Sequence, residues 1–160
     1  LYENSREKIK TEELFEYVFS QLASHNRKDN IKYCNRCKDK YIHVNKIRFS
    51  RAIINIIYNA LDAIDDKGVV DIAVNSYDNK IMITVEDNGV GIDEENINKI
   101  WEMGFSTKNS TGLGLSFVEG VVHNHGGNLE LYSTKDKGTK LIVTLPEAEY
   151  NEQEYKDTGY

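Results

Sequence analysis

Asn55 and Asn59 stand four residues apart in the stretch Asn55-Ile56-Ile57-Tyr58-Asn59-Ala60-Leu61-Asp62. In a helix that spacing puts both amides on one face, with Asp62 one turn further along. Asparagine is a poor helix-interior residue because its side chain competes for backbone hydrogen bonds. Two of them at this spacing therefore ask for a reason. An amide oxygen is a neutral, hard ligand that suits Mg2+ when phosphates supply most of the charge. The same pattern also fits a solvated helix face.

Three glycine-bearing stretches follow. Glu86-Asp87-Asn88-Gly89-Val90-Gly91-Ile92 comes directly after an apolar strand pattern. Gly89 and Gly91 allow a tight turn and close approach of backbone to a ligand. Asp87 at the strand end offers an acceptor that suits an exocyclic amine such as that of adenine. D-N-G is also good turn chemistry without any ligand. Thr111-Gly112-Leu113-Gly114-Leu115-Ser116 opens a helix. Backbone N–H groups at a helix start bind anions, and glycines let phosphate oxygens come close. A lone G-x-G serves helix–sheet packing equally well. The spacing is neither that of a Walker loop nor that of a dinucleotide fingerprint. Between these lies Met103-Gly104-Phe105-Ser106-Thr107-Lys108. Lys108 could reach a phosphate as a point charge, and Phe105 is unusual in a polar stretch unless it packs when the loop closes.

These residues need elements to position them. Thr11 can cap a helix with Glu12 and Glu13 in its first turn, and Leu14, Phe15, Val18, Phe19 and Leu22 fall on one face. Ile31–Cys34 and Tyr41–Val44 read as short strands flanking a charged turn. Residues 46–65 form the longest helical pattern, with Ile47, Ile54, Ile57, Leu61 and Ile64 as its apolar stripe and Gly68 beyond its end. Alternation predicts a hairpin over residues 70–87. A short helix is expected within 93–101 and a mobile stretch over 103–111. A further helix runs from near Gly114 to Gly126-Gly127, and a last hairpin carries Leu129, Leu131, Leu141, Val143 and Leu145. That order predicts helices on one face of a mixed sheet.

The chain's 160 residues are 39% hydrophobic and 29% charged, which is ordinary for one globular domain. The net charge of −6 argues against nucleic acid as the main partner. No apolar run reaches a membrane span, so the expectation is a cytoplasmic domain without direct membrane contact. Cys34 and Cys37 make a single C-x-x-C. It lacks the further ligands of a structural zinc site, which leaves a redox pair or two thiols in a turn.

Taken together, the four stretches resemble the ATPase superfamily of gyrase, the large heat-shock chaperone, MutL and histidine kinases. Asn55–Asn59 resembles its N box, Asp87–Gly91 its first glycine box, Phe105 its F box and Gly112–Leu115 its second glycine box. Gly138-Thr139-Lys140-Leu141 and Leu145-Pro146 resemble the last hairpin. The resemblance covers roughly residues 11–146. Residues 1–10 read as the end of a dimerisation helix or a linker, and 147–160 as an acidic, disordered tail.

The resemblance implies a two-layer α/β sandwich of the Bergerat type, a mixed sheet covered on one face by about three helices. It implies ATP and Mg2+ as cofactors, with Asn59 as metal ligand and Asp87 and Thr139 at the adenine. Asn55, Asp62, Gly89, Gly91, Ile92, Phe105, Lys108 and Thr111 join the nucleotide site. Gly112, Leu113, Gly114 and Leu115 wrap the phosphates, and residues 93–111 form the lid. Asn55 occupies the catalytic position where gyrase-like members carry a water-activating glutamate. As a poor base, it favours transfer to a protein over hydrolysis. Phe105 and the short lid resemble histidine kinases, and the Asn59–Ile64 and Gly104–Lys108 runs are similar to their nitrogen-sensor and sporulation-kinase branch. The implied function is γ-phosphoryl transfer to a histidine on a separate dimerisation domain, with a response regulator downstream. Ser110 departs from the family's usual glycine, which predicts a stiffer lid. None of His25, His43, His123 or His125 is followed by the acidic residue and proline of a phosphoacceptor, so this chain alone should not autophosphorylate. An anti-sigma-type serine kinase and a non-catalytic ATP-binding module are the alternatives.

Overall fold

Alternating apolar residues build the main sheet of this computed structural model, which describes residues 5–102 and 114–149. Strands β2 (Ile31–Asn35), β4 (Val70–Tyr77), β5 (Lys80–Asp87), β6 (Asn128–Thr134) and β7 (Gly138–Pro146) lie in the order β2-β4-β5-β7-β6. β2 runs parallel to β4, and every other pairing is antiparallel. A parallel pair needs a crossover, and here it contains helix α2 (Lys46–Ala63). Helices α1 (Thr11–Leu22) and α3 (Gly114–Asn124) flank α2.

Val70, Ile72, Val74, Ile81, Ile83, Val85, Leu141, Val143 and Leu145 are buried on one sheet face and join the core with the helices. On the other face Asp71 and Glu86 are exposed. The expected mixed sheet with helices on one side is therefore what forms. The β4–β5 hairpin turns at Asp78 and Asn79, which have φ of 50° and 57°. Two successive left-handed residues are the signature of a tight turn matched to strand twist.

Several expectations are corrected. Residues 7–10 are not the end of a helix. They form strand β1 (Glu7–Lys10), antiparallel to β3 (Tyr41–Val44), because pairing Ile9 with Ile42 buries both. β2 and β3 thus belong to different sheets. Thr11 does not cap α1. Its hydroxyl donates to the Cys37 carbonyl at 2.7 Å and accepts from Asn35 Nδ2 at 3.0 Å, so its oxygen is spent fastening the β2–β3 turn. Ile47 leaves the apolar stripe of α2, at 60% exposure. The buried face instead runs through Phe49, Ile53, Ile56, Ile57, Ala60 and Leu61, the spacing of one helix side. Within 93–101 the helical piece is a single 3-10 turn, Glu94–Asn96. Pairing also continues past Pro146. The Glu147 N–H donates to Asn79 O at 2.9 Å and the Ala148 N–H to Tyr41 O at 2.8 Å, so these first tail residues are bound. Residues 150–160 lie outside the described residues.

Cys34 is exposed and Cys37 buried, and both are free thiols. Burial pushes the Cys37 thiol above its ordinary pKa. That disfavours the reactive thiolate at Cys37. Cys34 lies on β2, and only Cys37 lies in the connection to β3.

Candidate nucleotide site

Asn55, Asn59 and Asp62 lie along one strip of α2, at i, i+4 and i+7. Asn55 is half-buried, and Asn59 and Asp62 are exposed. The opposite side of the helix is packed into the core, so this strip faces away from it. α3 begins against it. A Cβ on Gly114 would stand 3.7 Å from Asn59 Nδ2, an ordinary contact, so the first turn of α3 lies beside the amide. Leu115, half-buried, anchors that turn to the core.

The last turn of α2 seats the first glycine loop. Ala63 O accepts from the Val90 N–H at 3.0 Å. A Cβ on Gly89 would overlap the same carbonyl, so only glycine lets the loop lie this close. Asp87, at the end of β5, is 7% exposed. Its Oδ1 accepts from the Gly89 N–H at 2.9 Å, closing a turn that holds the carboxylate at the mouth of the loop. Asn88 Oδ1 accepts from the Val69 N–H at 2.8 Å. From Asn59 to Ala63 is about 6 Å of helix, so the amide strip and the glycine loop share one wall.

Gly91, with a left-handed φ of 66°, turns the chain toward β6. The Ile92 N–H then donates to Ser133 Oγ at 2.9 Å. Ser133 Oγ also lies 2.8 Å from Thr139 Oγ1 and donates to Gly138 O at 3.1 Å. Thr139 faces Asp87 directly in the β5–β7 register. Antiparallel partners project to the same side, so both belong to the helix-covered face.

The described residues therefore bring together Asn55, Asn59, Asp62, Gly114 and Leu115 on one side and Asp87, Gly89, Gly91, Ile92 and Thr139 on the other. Phe105, Lys108, Thr111, Gly112 and Leu113 lie outside them. Sequence reasoning passed over Ser133 as a loop anchor and over Asn88 as more than a turn residue. Ser133 carries no local signal. Asn88 stood inside the quoted D-N-G run.

Comparison with known proteins agrees with this geometry. The family described as histidine kinase-, DNA gyrase B- and HSP90-like ATPase matches residues 44–149. Sporulation kinase A of Bacillus subtilis (strain 168) is 35% identical over 107 residues, 66% of this chain and 18% of that protein. Sensor histidine kinase ZraS of Klebsiella oxytoca is 36% identical over 101 residues, 62% of this chain and 22% of that protein. The chain thus spans about a fifth of the length of these curated relatives. Among solved structures, the catalytic domain of histidine kinase ThkA superposes with a TM-score of 0.77 at 27% identity, covering 89% of this chain and 96% of that one. ThkA in complex with the response regulator protein TrrA superposes with a TM-score of 0.73 at 25% identity, covering 89% of this chain and 42% of that one. The resemblance to histidine kinases, and to their sporulation-kinase members, is borne out. The chain belongs to the histidine kinase-, DNA gyrase B- and HSP90-like ATPase family, and its two-layer fold is that of a histidine kinase catalytic domain.

Proposed function

We propose that this domain binds Mg2+-ATP and presents the γ-phosphoryl group to a histidine on a dimerisation domain of the same kinase, with a response regulator receiving it next. The observation that carries the reading is the shared wall. The Asn55–Asn59–Asp62 strip, the start of α3 beside Asn59 and the Asp87 loop are all fastened to one helix. Such a wall recognises a nucleotide by its two ends, a base at Asp87 and phosphates between Asn59 and the α3 N-terminus. The proposed site also takes in Phe105, Lys108, Thr111, Gly112 and Leu113, with residues 93–111 as the lid.

Asn59 supplies a neutral amide oxygen. Among the described residues no three His, Cys, Asp or Glu side chains gather as a metal site. A cation at Asn59 would thus depend on phosphate oxygens for its charge, the usual situation of Mg2+ with a nucleotide. When bound, Mg2+ would neutralise the phosphate oxygens. The protein's own part is positioning. Asp87 accepts from the adenine amine, Asn59 and the α3 backbone fix the phosphates, and Asn55 refrains from activating water. Transfer forms a P–N bond to the incoming imidazole, breaks the bond between the γ-phosphorus and the β,γ-bridging oxygen, and releases ADP and the imidazole proton. The acceptor is proposed to stand on the dimerisation domain.

The domain core is proposed as residues 11–146, extended by strand β1 (Glu7–Lys10) on one side and by the bound Glu147 and Ala148 on the other. Among the described residues no helix is long and apolar enough to cross a membrane, and we place the domain in the cytoplasm. Titration with ADP, with and without Mg2+, tests the reading. Asn59→Ala should abolish the Mg2+-dependent part of the affinity, and Asp87→Asn should weaken binding about tenfold or more, the scale of a lost charged hydrogen bond. Both variants binding like wild type would defeat the assignment.

A further inference from the structure

We infer that Arg27 and Asn30, in the loop between α1 and β2, are positioning residues for the first glycine loop and through it for nucleotide affinity. This rests on the nucleotide reading above. The argument starts from an unsolved helix end. The last turn of α2 carries no basic residue, and its C-cap, Ile64, is extended rather than a left-handed glycine. The final carbonyls of a helix need partners, and among the described residues those of Leu61, Ala63 and Ile64 are met by distant donors.

They are found from two sides. Arg27 Nη1 donates to Leu61 O at 3.1 Å and to Ile64 O at 2.6 Å. Between those two acceptors stands Ala63, whose carbonyl takes the Val90 N–H of the glycine loop. Asn30 continues the clamp, with Nδ2 donating to Asp66 O at 3.0 Å and Gly68 O at 2.9 Å. The next residue, Val69, donates to Asn88 Oδ1 at 2.8 Å and accepts from the Asn88 N–H at 3.4 Å. Segment 61–69 is thus gripped by Arg27 and Asn30, and it in turn holds Asn88 and Val90, the neighbours of Gly89 on either side.

Arg27 is itself fixed. Its backbone N–H donates to His25 Nδ1 at 3.1 Å, and the His25 ring lies 5.3 Å from that of Tyr58 on α2. Asp66 Oδ1 stands 3.7 Å from Nη2. A guanidinium at this place also opposes the negative end of the α2 dipole. One terminal nitrogen, Nη1, reaches two carbonyls about a helical turn apart, while Nη2 faces Asp66.

The test uses amide hydrogen exchange and ADP titration on the whole chain. Arg27→Gln should speed exchange of Val90 about tenfold while leaving Ile83 and Val143 in the sheet unchanged, and should weaken ADP binding by a similar factor. Arg27→Lys, which keeps the charge and a terminal donor but loses the planar guanidinium and its Nη2, should recover part of both. Should Arg27→Gln not fold, Asn30→Ala gives the second reading, with faster exchange at Val69 and Asn88 and severalfold weaker ADP binding. Exchange that rises uniformly across the sheet reveals mere loss of stability and overturns the inference. So does wild-type ADP affinity in a folded Arg27→Gln, which leaves the nucleotide reading standing. A wild-type chain that binds no ADP overturns the nucleotide reading and, with it, this inference.

Discussion

The two ends of α2 are fastened by different chemistry. At the C-terminal end the partners are a guanidinium, two carboxamides and a backbone amide, from Arg27, Asn30, Asn88 and Val90. None of these gains or loses a proton near neutral pH. At the N-terminal end the Asn45 side chain accepts from the Arg48 N–H at 3.0 Å, while the Asn45 N–H donates to His125 Nε2 at 3.1 Å. His125 Nδ1 in turn lies 2.7 Å from Val121 O of α3, and the ring lies 5.4 Å from that of Phe49. One titratable imidazole thus joins α2 to α3. At the end that seats the proposed base site no group in direct contact titrates near neutral pH, and His25 stands one step back, behind Arg27; at the far end the imidazole is itself in the contact.

Two substitutions of large effect sharpen this contrast. Phe49 is fully buried beside His125. Phe49→Ala should cost about 3–5 kcal/mol of stability, from lost transfer energy and the cavity left behind. Chemical denaturation measures it, and a loss under about 1 kcal/mol would show that the N-terminal end contributes little. At the other end, Gly89→Ala must push the loop off the Ala63 carbonyl. We expect about tenfold weaker ADP binding with a smaller loss of stability, roughly 1–3 kcal/mol, because the strain is local. ADP affinity equal to wild type would separate the loop from the site.

A third substitution probes the middle of the comparison. Ser50 is completely buried, and its hydroxyl has no partner among the described residues. An orphaned buried hydroxyl costs free energy, and alanine is the better helix former. Ser50→Ala should therefore stabilise the chain by about 1 kcal/mol, read from the denaturation midpoint. Destabilisation would show that the hydroxyl has a partner after all.

What the sequence disclosed and what it withheld follow the same division between local and distant. The β4–β5 hairpin was legible because alternation and the turn residues lie within one short stretch. Asn55, Asn59, Asp87 and Gly89 were legible because helix spacing and strand-end glycines are local patterns. Ile47 misled because it is apolar, yet the buried face is set by Phe49 and Ile53, whose register is decided by the sheet beneath. Thr11 was misread because its hydroxyl's real partners, Cys37 and Asn35, lie over twenty residues away. Arg27 and Asn30 gave no signal for the same reason: their acceptors are 34 to 38 residues along the chain. β1 escaped because a four-residue edge strand with a single buried apolar side chain has no period to detect.

The smallest expected effect is the most direct test of the contrast. Burial holds His125 below the ordinary imidazole pKa, and the charges of Arg6, Arg48 and His43 push the same way, against the pull of the Val121 carbonyl. Its Nε2 accepts from Asn45, so protonation there would set two N–H groups against each other. The unfolded chain takes up a proton near its ordinary pKa of about 6.5 while the folded chain resists it, so stability rises with pH across that window. The contribution is complete above about pH 6.5 and is lost as pH falls from there toward the lowered folded value. His125→Gln should flatten the slope of unfolding free energy between about pH 7 and pH 5. The effect is modest because the ring is only half-buried. Over the same range, exchange at Val90 in wild type should change less than exchange near Asn45, since the groups bonded directly to residues 61–69 do not titrate there and His25 reaches them only through the Arg27 backbone. A His125→Gln slope equal to wild type would remove the imidazole from the account. Val90 exchange that accelerates with acid as fast as exchange near Asn45 would erase the difference between the two ends.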